Sequence, residues 1–368
     1  MRTLGLLAVL ASVSLVTLAG CADSEPASNG GESTAADLSG SSAKVLAKDL
    51  PYPGDLTFAN GKLYWSQAVQ VASGDPELDQ QFAYWTGSMW SFNVTHSSNA
   101  KKLAELPSPV KKITTAGDTI WITQAGFVSK TTAEDLDAKR EWKTVYQDVS
   151  HFDIDEEEEI ASSAIANGRV YVLRTTGEIV SVKTDGSDFQ KHVKSSAYAS
   201  NLFVSGDYAL WVTASDDQPY ERAVFQANLS SASPRPKRIA TIHDSATAFV
   251  QDGDTVYFGT QSKPNEPAGG AIMKMKLGSN AAPEPVVQGL AHTRAVALDG
   301  DQLLFTGKKG AVEGLFSVPR SNLGAEPKSV YKLKAAADIL STTNAIYLTS
   351  TALDATNHYD GKVVEISR

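Results

Sequence analysis

Seven times along the chain an alternating apolar segment runs into a tight turn and out into a short apolar strand centred on a large residue. The instances are Leu56 to Tyr64 through Asn60-Gly61, Gly117-Asp118 to Trp121, Gly168 to Tyr171, Gly206-Asp207 to Trp211, Gly253-Asp254 to Tyr257 and Gly300-Asp301 to Leu304. A degenerate seventh runs from Thr343-Asn344 to Tyr347. Gly paired with Asp or Asn is a hairpin signal because those residues tolerate positive φ. Positions 64, 121, 171, 211, 257, 304 and 347 are spaced by about 47 residues on average, within the range of about 40 to 50 of four-stranded propeller blades.

Behind each hairpin comes a variable polar loop, a third strand that often opens with glycine, and a fourth strand rich in Val or Ile. The third strands read as Gly87 to Phe92, Gly177 to Val182, Gly270 to Met275, Gly314 to Val318 and Gly361 to Ile366. Helical periodicity is absent from residues 43–368, so the fold class is all-β. The seventh unit ends at Arg368 without a fourth strand, while Ala43 to Pro51 echoes Ala100 to Pro107, the fourth strand of the first unit. An N-terminal strand completing the last blade would leave no open sheet edge. The expectation is therefore a seven-bladed β-propeller over 43–368. Six blades is the alternative count, because Tyr64 to Trp121 spans 57 residues and Tyr171 to Trp211 only 40. An open array of hairpins or a β-sandwich is the competing architecture.

The spacing and the Gly-Asp hairpins resemble those of bacterial NHL, YVTN and YWTD-type propellers, and Leu63-Tyr64-Trp65-Ser66 looks like one copy of the YWTD core. Ile120-Trp121-Ile122-Thr123, Val170-Tyr171-Val172-Leu173 and Ile346-Tyr347-Leu348-Thr349 keep only the aromatic and its neighbours. The resemblance implies an architecture and fixes no subfamily, and a fold by itself supplies no function. Quinoprotein propellers would carry tryptophan docking motifs in every blade, and some use a vicinal cysteine pair that this chain cannot form. The tethered propeller of the outer-membrane assembly machine has eight blades and shares no surface motif with these residues.

Residues 1–20 have the shape of a secretion signal: Met1-Arg2, an apolar run from Leu4 to Leu18, then small residues before Cys21. The run from Leu4 to Gly20 is 17 residues, short of the ~20 that span a bilayer. Leu18-Ala19-Gly20-Cys21 resembles the lipobox of bacterial lipoproteins, which implies lipidation of Cys21 and attachment to a bacterial membrane, the outer membrane above all. Cys21 is the sole cysteine, so 43–368 contains no disulfide and no thiolate zinc site. Residues 22–42 are small, polar and acidic with one large apolar residue, Leu38, and read as a tether. Loss of residues 1–20 removes only Arg2, taking the net charge from −9 to −10. That balance excludes a nucleic-acid footprint and suits a soluble, monomeric domain.

Repeat alignment places Tyr198, His243, His292 and Arg294 near the propeller entrance, where connections between blades and between second and third strands gather. Asp153 to Glu159 falls there too. His243 and His292, on adjacent blades, are candidate metal ligands or a general base; the bland reading, favoured in the absence of a supporting partner, is two loop histidines. Asp155 and Glu158 could supply oxygens to calcium or another divalent metal, but the run lacks EF-hand spacing and reads more naturally as a solvated loop. Arg294 would bind an anion or pair with a carboxylate. Loops at 66–86, 214–222, 261–270 and 350–361 are long, and Asp216, Tyr220 and Tyr359 place aromatics among polar groups as binding surfaces do. Ordinary loop variation is the competing explanation.

No HExxH, GxSxG, Walker or cysteine-nucleophile signature is present. The residues thus predict an anchored binding or scaffold module for a protein, peptide or glycan, without a cofactor. A metal-assisted hydrolase or lyase built on His243, His292, Arg294 and an acid is the alternative.

Overall fold

A computed structural model describes residues 42–71, 84–95, 99–148, 159–195, 198–214, 221–243, 246–261, 268–353 and 358–368. Cys21, most of the 22–42 tether, Asp153 to Glu158, Asp216 and Tyr220 lie outside the described residues, as do parts of all four long loops.

The chain is all-β, built from seven four-stranded antiparallel sheets. After β1 (Ala43–Leu50), blade one holds β2 (Pro53–Ala59), β3 (Lys62–Val71), β4 (Tyr84–Asn93) and β5 (Lys101–Leu106). Blade two holds β6 (Lys112–Ala116), β7 (Thr119–Thr123), β8 (Phe127–Thr132) and β9 (Lys143–Gln147). Blade three holds β10 (Ile160–Ala166), β11 (Arg169–Arg174), β12 (Glu178–Lys183) and β13 (Gln190–Lys194). Blade four holds β14 (Ala199–Ser205), β15 (Tyr208–Ala214), β16 (Glu221–Asn228) and β17 (Lys237–His243). Blade five holds β18 (Val250–Asp252), β19 (Thr255–Thr260), β20 (Gly270–Lys276) and β21 (Glu284–Leu290). Blade six holds β22 (Val296–Asp299), β23 (Gln302–Lys309), β24 (Val312–Pro319) and β25 (Lys328–Lys332). Blade seven holds β26 (Ala336–Ser341), β27 (Ala345–Ser350) and β28 (Gly361–Ser367), with β1 as its fourth strand.

The ring closes as the repeat implied. β1 pairs antiparallel with β28 from Ala43↔Ile366 to Leu50↔Gly361. Every repeated position is buried, from Tyr64 and Trp211 at 0% exposed to Tyr171 and Tyr257 at 5%. Successive residues of a second strand point to opposite neighbours, so Tyr64 packs toward blade two while Leu63 and Trp65 pack toward blade seven. Among the described residues seven apolar clusters result, each between one consecutive pair of blades. One of them joins Leu50, Tyr347 and Val363 of blade seven to Leu56, Leu63, Trp65 and Phe92 of blade one. Seven seams for seven blades rule out the six-bladed count and the open array.

Glycine opens third strands because the fourth strand comes too close for a side chain. A Cβ on Gly87, Gly314 or Gly361 would lie 2.5, 2.0 or 2.2 Å from the carbonyl oxygen of Ser108, Tyr331 or Leu50 respectively. Leu50 pairs with Gly361 as Leu106 pairs with Gly87 and Lys332 with Gly314, which marks β1 as a true fourth strand.

Among the described residues one α-helix and a single 3-10 turn, Arg320–Asn322, depart from the all-strand expectation. In blade two, α1 (Ala133–Asp137) starts at Thr132, whose Oγ1 accepts a hydrogen bond from Asp135 N at 3.1 Å. Five residues are too few to show periodicity, but Thr132-x-x-Asp135 is an N-cap signal. The helix buries Leu136 in the seam between blades one and two.

Candidate functional site

Strand polarity separates two faces. The hairpins between first and second strands, from Asn60-Gly61 to Thr343-Asn344, lie on one face, and so does the start of β1: Ser42 O accepts a hydrogen bond from Ser367 N, and Asn344 O from Arg368 N. The connections between blades and between second and third strands lie on the opposite, entrance face.

At the mouth of the channel the innermost strands present Asp55, Lys112 and Asp338, each nine residues before its blade's repeated aromatic. Asp338 Oδ2 accepts the N–H of Leu56 in the next blade at 2.7 Å, and Asp55 Oδ2 accepts that of Ile113 at 3.1 Å. Each carboxylate thereby satisfies a donor on the otherwise unpaired edge of the following inner strand. All three side chains are enclosed by protein yet keep partial access to solvent, as groups bordering a channel do. Enclosure raises the Asp338 pKa to about 7, with the Asp55 charge adding to it and the N–H donors and Lys112 opposing. Enclosure also raises that of Asp55, against the Ile113 N–H and Lys112. The Lys112 pKa is lowered by the same enclosure despite both carboxylates. The trio clasps blades seven, one and two. A charge at this offset in three blades is the signal that sequence reading missed.

Of the residues expected near the entrance, Arg294 is drawn inward: its Nη1 donates to Thr351 Oγ1 at 2.8 Å, linking blade six to blade seven. Its neighbour Glu313 accepts from Ala335 N at 2.7 Å. His292 is exposed and carries φ 55°, and Tyr198, 45% exposed, carries φ 57°. His243 ends β17. Glu159, the described end of the acidic run, pairs with Lys111 at 2.7 Å. Among the described residues no group of three or more His, Cys, Asp and Glu side chains is arranged to hold a metal ion.

Tyr359 joins a cluster with two aromatics not singled out from the sequence, linked through Tyr52. Tyr52, at φ 36° in the turn from β1 to β2, meets Tyr359 edge-on with ring centres 5.1 Å apart and Trp85 of β4 at 5.3 Å. All three rings are partly exposed. Burial raises the Tyr52 pKa, and the Tyr359 hydroxyl raises it further, so it remains a hydrogen-bond donor at neutral pH.

Comparison with known proteins agrees with the architecture. No family model and no curated relative matches the chain. A structure of YCF48 bound to D1 peptide is similar over 90% of this chain and 96% of its own, with a TM-score of 0.55 at 14% identity. YCF48 from Cyanidioschyzon merolae is similar over 88% and 98%, with a TM-score of 0.56 at 10% identity. At such identities the likeness establishes the fold. The chain is a seven-bladed β-propeller.

Proposed function

We propose that this propeller is the binding domain of an exported lipoprotein, lipidated on Cys21, and that it engages a protein or peptide through its entrance face. The observation that carries the reading is the separation of the two faces. The N-terminal segment joins the ring on the hairpin face, while the partly exposed Tyr52, Trp85 and Tyr359 and the exposed Tyr198 and His292 gather on the other. A propeller of YCF48, similar in fold alone, is bound to a peptide, and the fold is consistent with a protein-binding or scaffold module. Attachment through acyl chains on Cys21 would leave the entrance face unobstructed by the tether's point of attachment.

Two experiments test this. Labelled palmitate fed to the expressing bacterium should enter the wild-type protein and not Cys21→Ser; label in the variant would exclude Cys21 as the acceptor. A photo-crosslinking residue at Tyr198 or His292 should capture a partner in cells, whereas one at Asp118 or Asp254 on the hairpin face should not. Adducts confined to the hairpin positions would refute the assignment of the face.

A further inference from the structure

Three partly buried arginines of the ring each meet a carboxylate. Arg169 pairs with Asp188 at 2.7 Å, Arg174 with Asp148 at 2.8 Å, and Arg320 with Asp252. Arg294 does not. It sits just before β22, largely enclosed at the entrance end of the seam between blades six and seven. Among the described residues its guanidinium has one hydrogen-bond partner, Thr351 Oγ1, at 2.8 Å from Nη1. Glu313, the acid whose charge reaches it, accepts instead from Ala335 N at 2.7 Å and forms no ion pair with it. Burial lowers the Arg294 pKa in spite of that carboxylate, yet a guanidinium keeps its proton at any physiological pH. The result is a permanent cation stripped of much of its water and given no counter-ion, which enclosed charges in folded proteins seldom lack.

The bond to Thr351 decides which edge of the guanidinium is free. Thr351 N donates to the Ala335 carbonyl at 3.0 Å, and Thr351 Oγ1 donates to the same oxygen at 3.4 Å. The lone pairs of that hydroxyl are therefore left for Arg294, and they hold Nη1. Nε and Nη2 bond to none of the described residues, and unlike Arg320 Nε they are not sealed from solvent.

We infer that the Nε–Nη2 edge of Arg294 is a binding site for a carboxylate, carried by the protein or peptide that the entrance face engages. The inference rests on the binding role proposed above and specifies the chemistry recognised. The edge presents two parallel N–H donors, which match the two oxygens of one carboxylate. A phosphate dianion fits less well, because the Glu313 charge leaves a single guanidinium to offset two further negative charges. The site lies on the face assigned to the partner: exposed His292 is two residues earlier on the same connection, and Thr351 belongs to the same second-to-third-strand connection as Tyr359. Thr351 is the positioning residue, since it touches the guanidinium and leaves the ligand edge clear.

The test uses full-length protein in detergent labelled with 15N-arginine. The Arg294 Nε–H resonance, assigned by its absence from Arg294→Lys, is followed during titration with sodium acetate at about pH 6, where acetate is ionised, with chloride exchanged to hold ionic strength constant. A saturable shift with a midpoint of about 10 mM is expected from two charge-assisted hydrogen bonds. Thr351→Val should raise the midpoint about 3- to 10-fold by releasing Nη1, Thr351→Ser should restore it, and unchanged melting temperatures exclude misfolding. A resonance that ignores acetate, an equal response to chloride, or a midpoint for inorganic phosphate tenfold below that for acetate would each overturn the inference. Crosslinks at Tyr198 or His292 would survive those outcomes, and a saturable acetate shift would survive their absence, so the two failures are distinguishable.

Discussion

Gly361→Ala should open the ring at the place where it closes. The new Cβ would lie 2.2 Å from the Leu50 carbonyl oxygen, 2.7 Å from Pro53 Cδ and 3.0 Å from the Ser350 carbonyl oxygen. Two of these neighbours are backbone, so no rotamer change relieves the clash, and the end of β1 must retreat by roughly 1 Å to regain ordinary contact. Overpacking of this kind costs about 1–3 kcal/mol, and weakening the Leu50–Gly361 pair adds about 1 kcal/mol. The expected loss is about 3 kcal/mol, which lowers the urea midpoint by about 1 M at an m-value of about 3 kcal/mol/M. Amide exchange at Ala43 to Leu50 should accelerate at the same time. Gly314→Ala is the control: its Cβ would lie 2.0 Å from the Tyr331 carbonyl oxygen inside blade six, so the midpoint should fall while exchange in β1 stays unchanged. A Gly361→Ala protein within about 0.5 kcal/mol of wild type, with β1 still protected, would refute the role assigned to the closing strand.

Two further outcomes follow from the charged groups. Because the folded-state pKa of Asp338 is raised to about 7, its favourable contribution is complete below about pH 4 and is lost as pH climbs through neutrality. Asp338→Asn keeps an oxygen for Leu56 N and removes the charge, so its urea midpoint relative to wild type should rise between pH 5 and pH 8; a relative fall would contradict the enclosed carboxylate. In blade three Arg174 Nε lies 2.8 Å from Asp148 Oδ2, whose side chain is 0% exposed. Arg174 also donates to Glu178 Oε2 at 2.6 Å, so Asp148→Ala removes the more enclosed of its two carboxylates and should cost about 2–3 kcal/mol, against about 1 kcal/mol for Glu178→Ala, and equal losses in chemical denaturation would disprove that ranking.

The architecture was legible because its cause is local and repeated. Gly-Asp hairpins, glycine-led third strands and the echo of Ala100 to Pro107 in Ala43 to Pro51 each state one step of a blade, and seven copies add up to a ring. The entrance face was legible only in part. Tyr359 drew notice as an aromatic among polar residues, but Tyr52, the ring it meets, lies about 300 residues away in the chain, carries Trp85 on its other side, and reaches Tyr359 only because the ends of the ring coincide. Asp55, Lys112 and Asp338 look like unrelated surface charges until the blades are superposed. Arg294 reads the same in sequence whether its guanidinium is wholly free or, as here, reaches across to Thr351 with one end.

The polarity of β1 also governs how the ring carries force. The chain enters at Ala43 on the hairpin face and runs lengthwise along β28 to Leu50. Tension on the residues before Ala43, resisted by a load held at the entrance face, drags β1 along its own axis. The pairs from Ala43↔Ile366 to Leu50↔Gly361 then bear the strain together in shear. A closing strand of opposite polarity would be peeled one pair at a time, and since survival under load is set by the rate of unfolding, this arrangement makes the seam most resistant in the direction in which a tethered domain would be pulled.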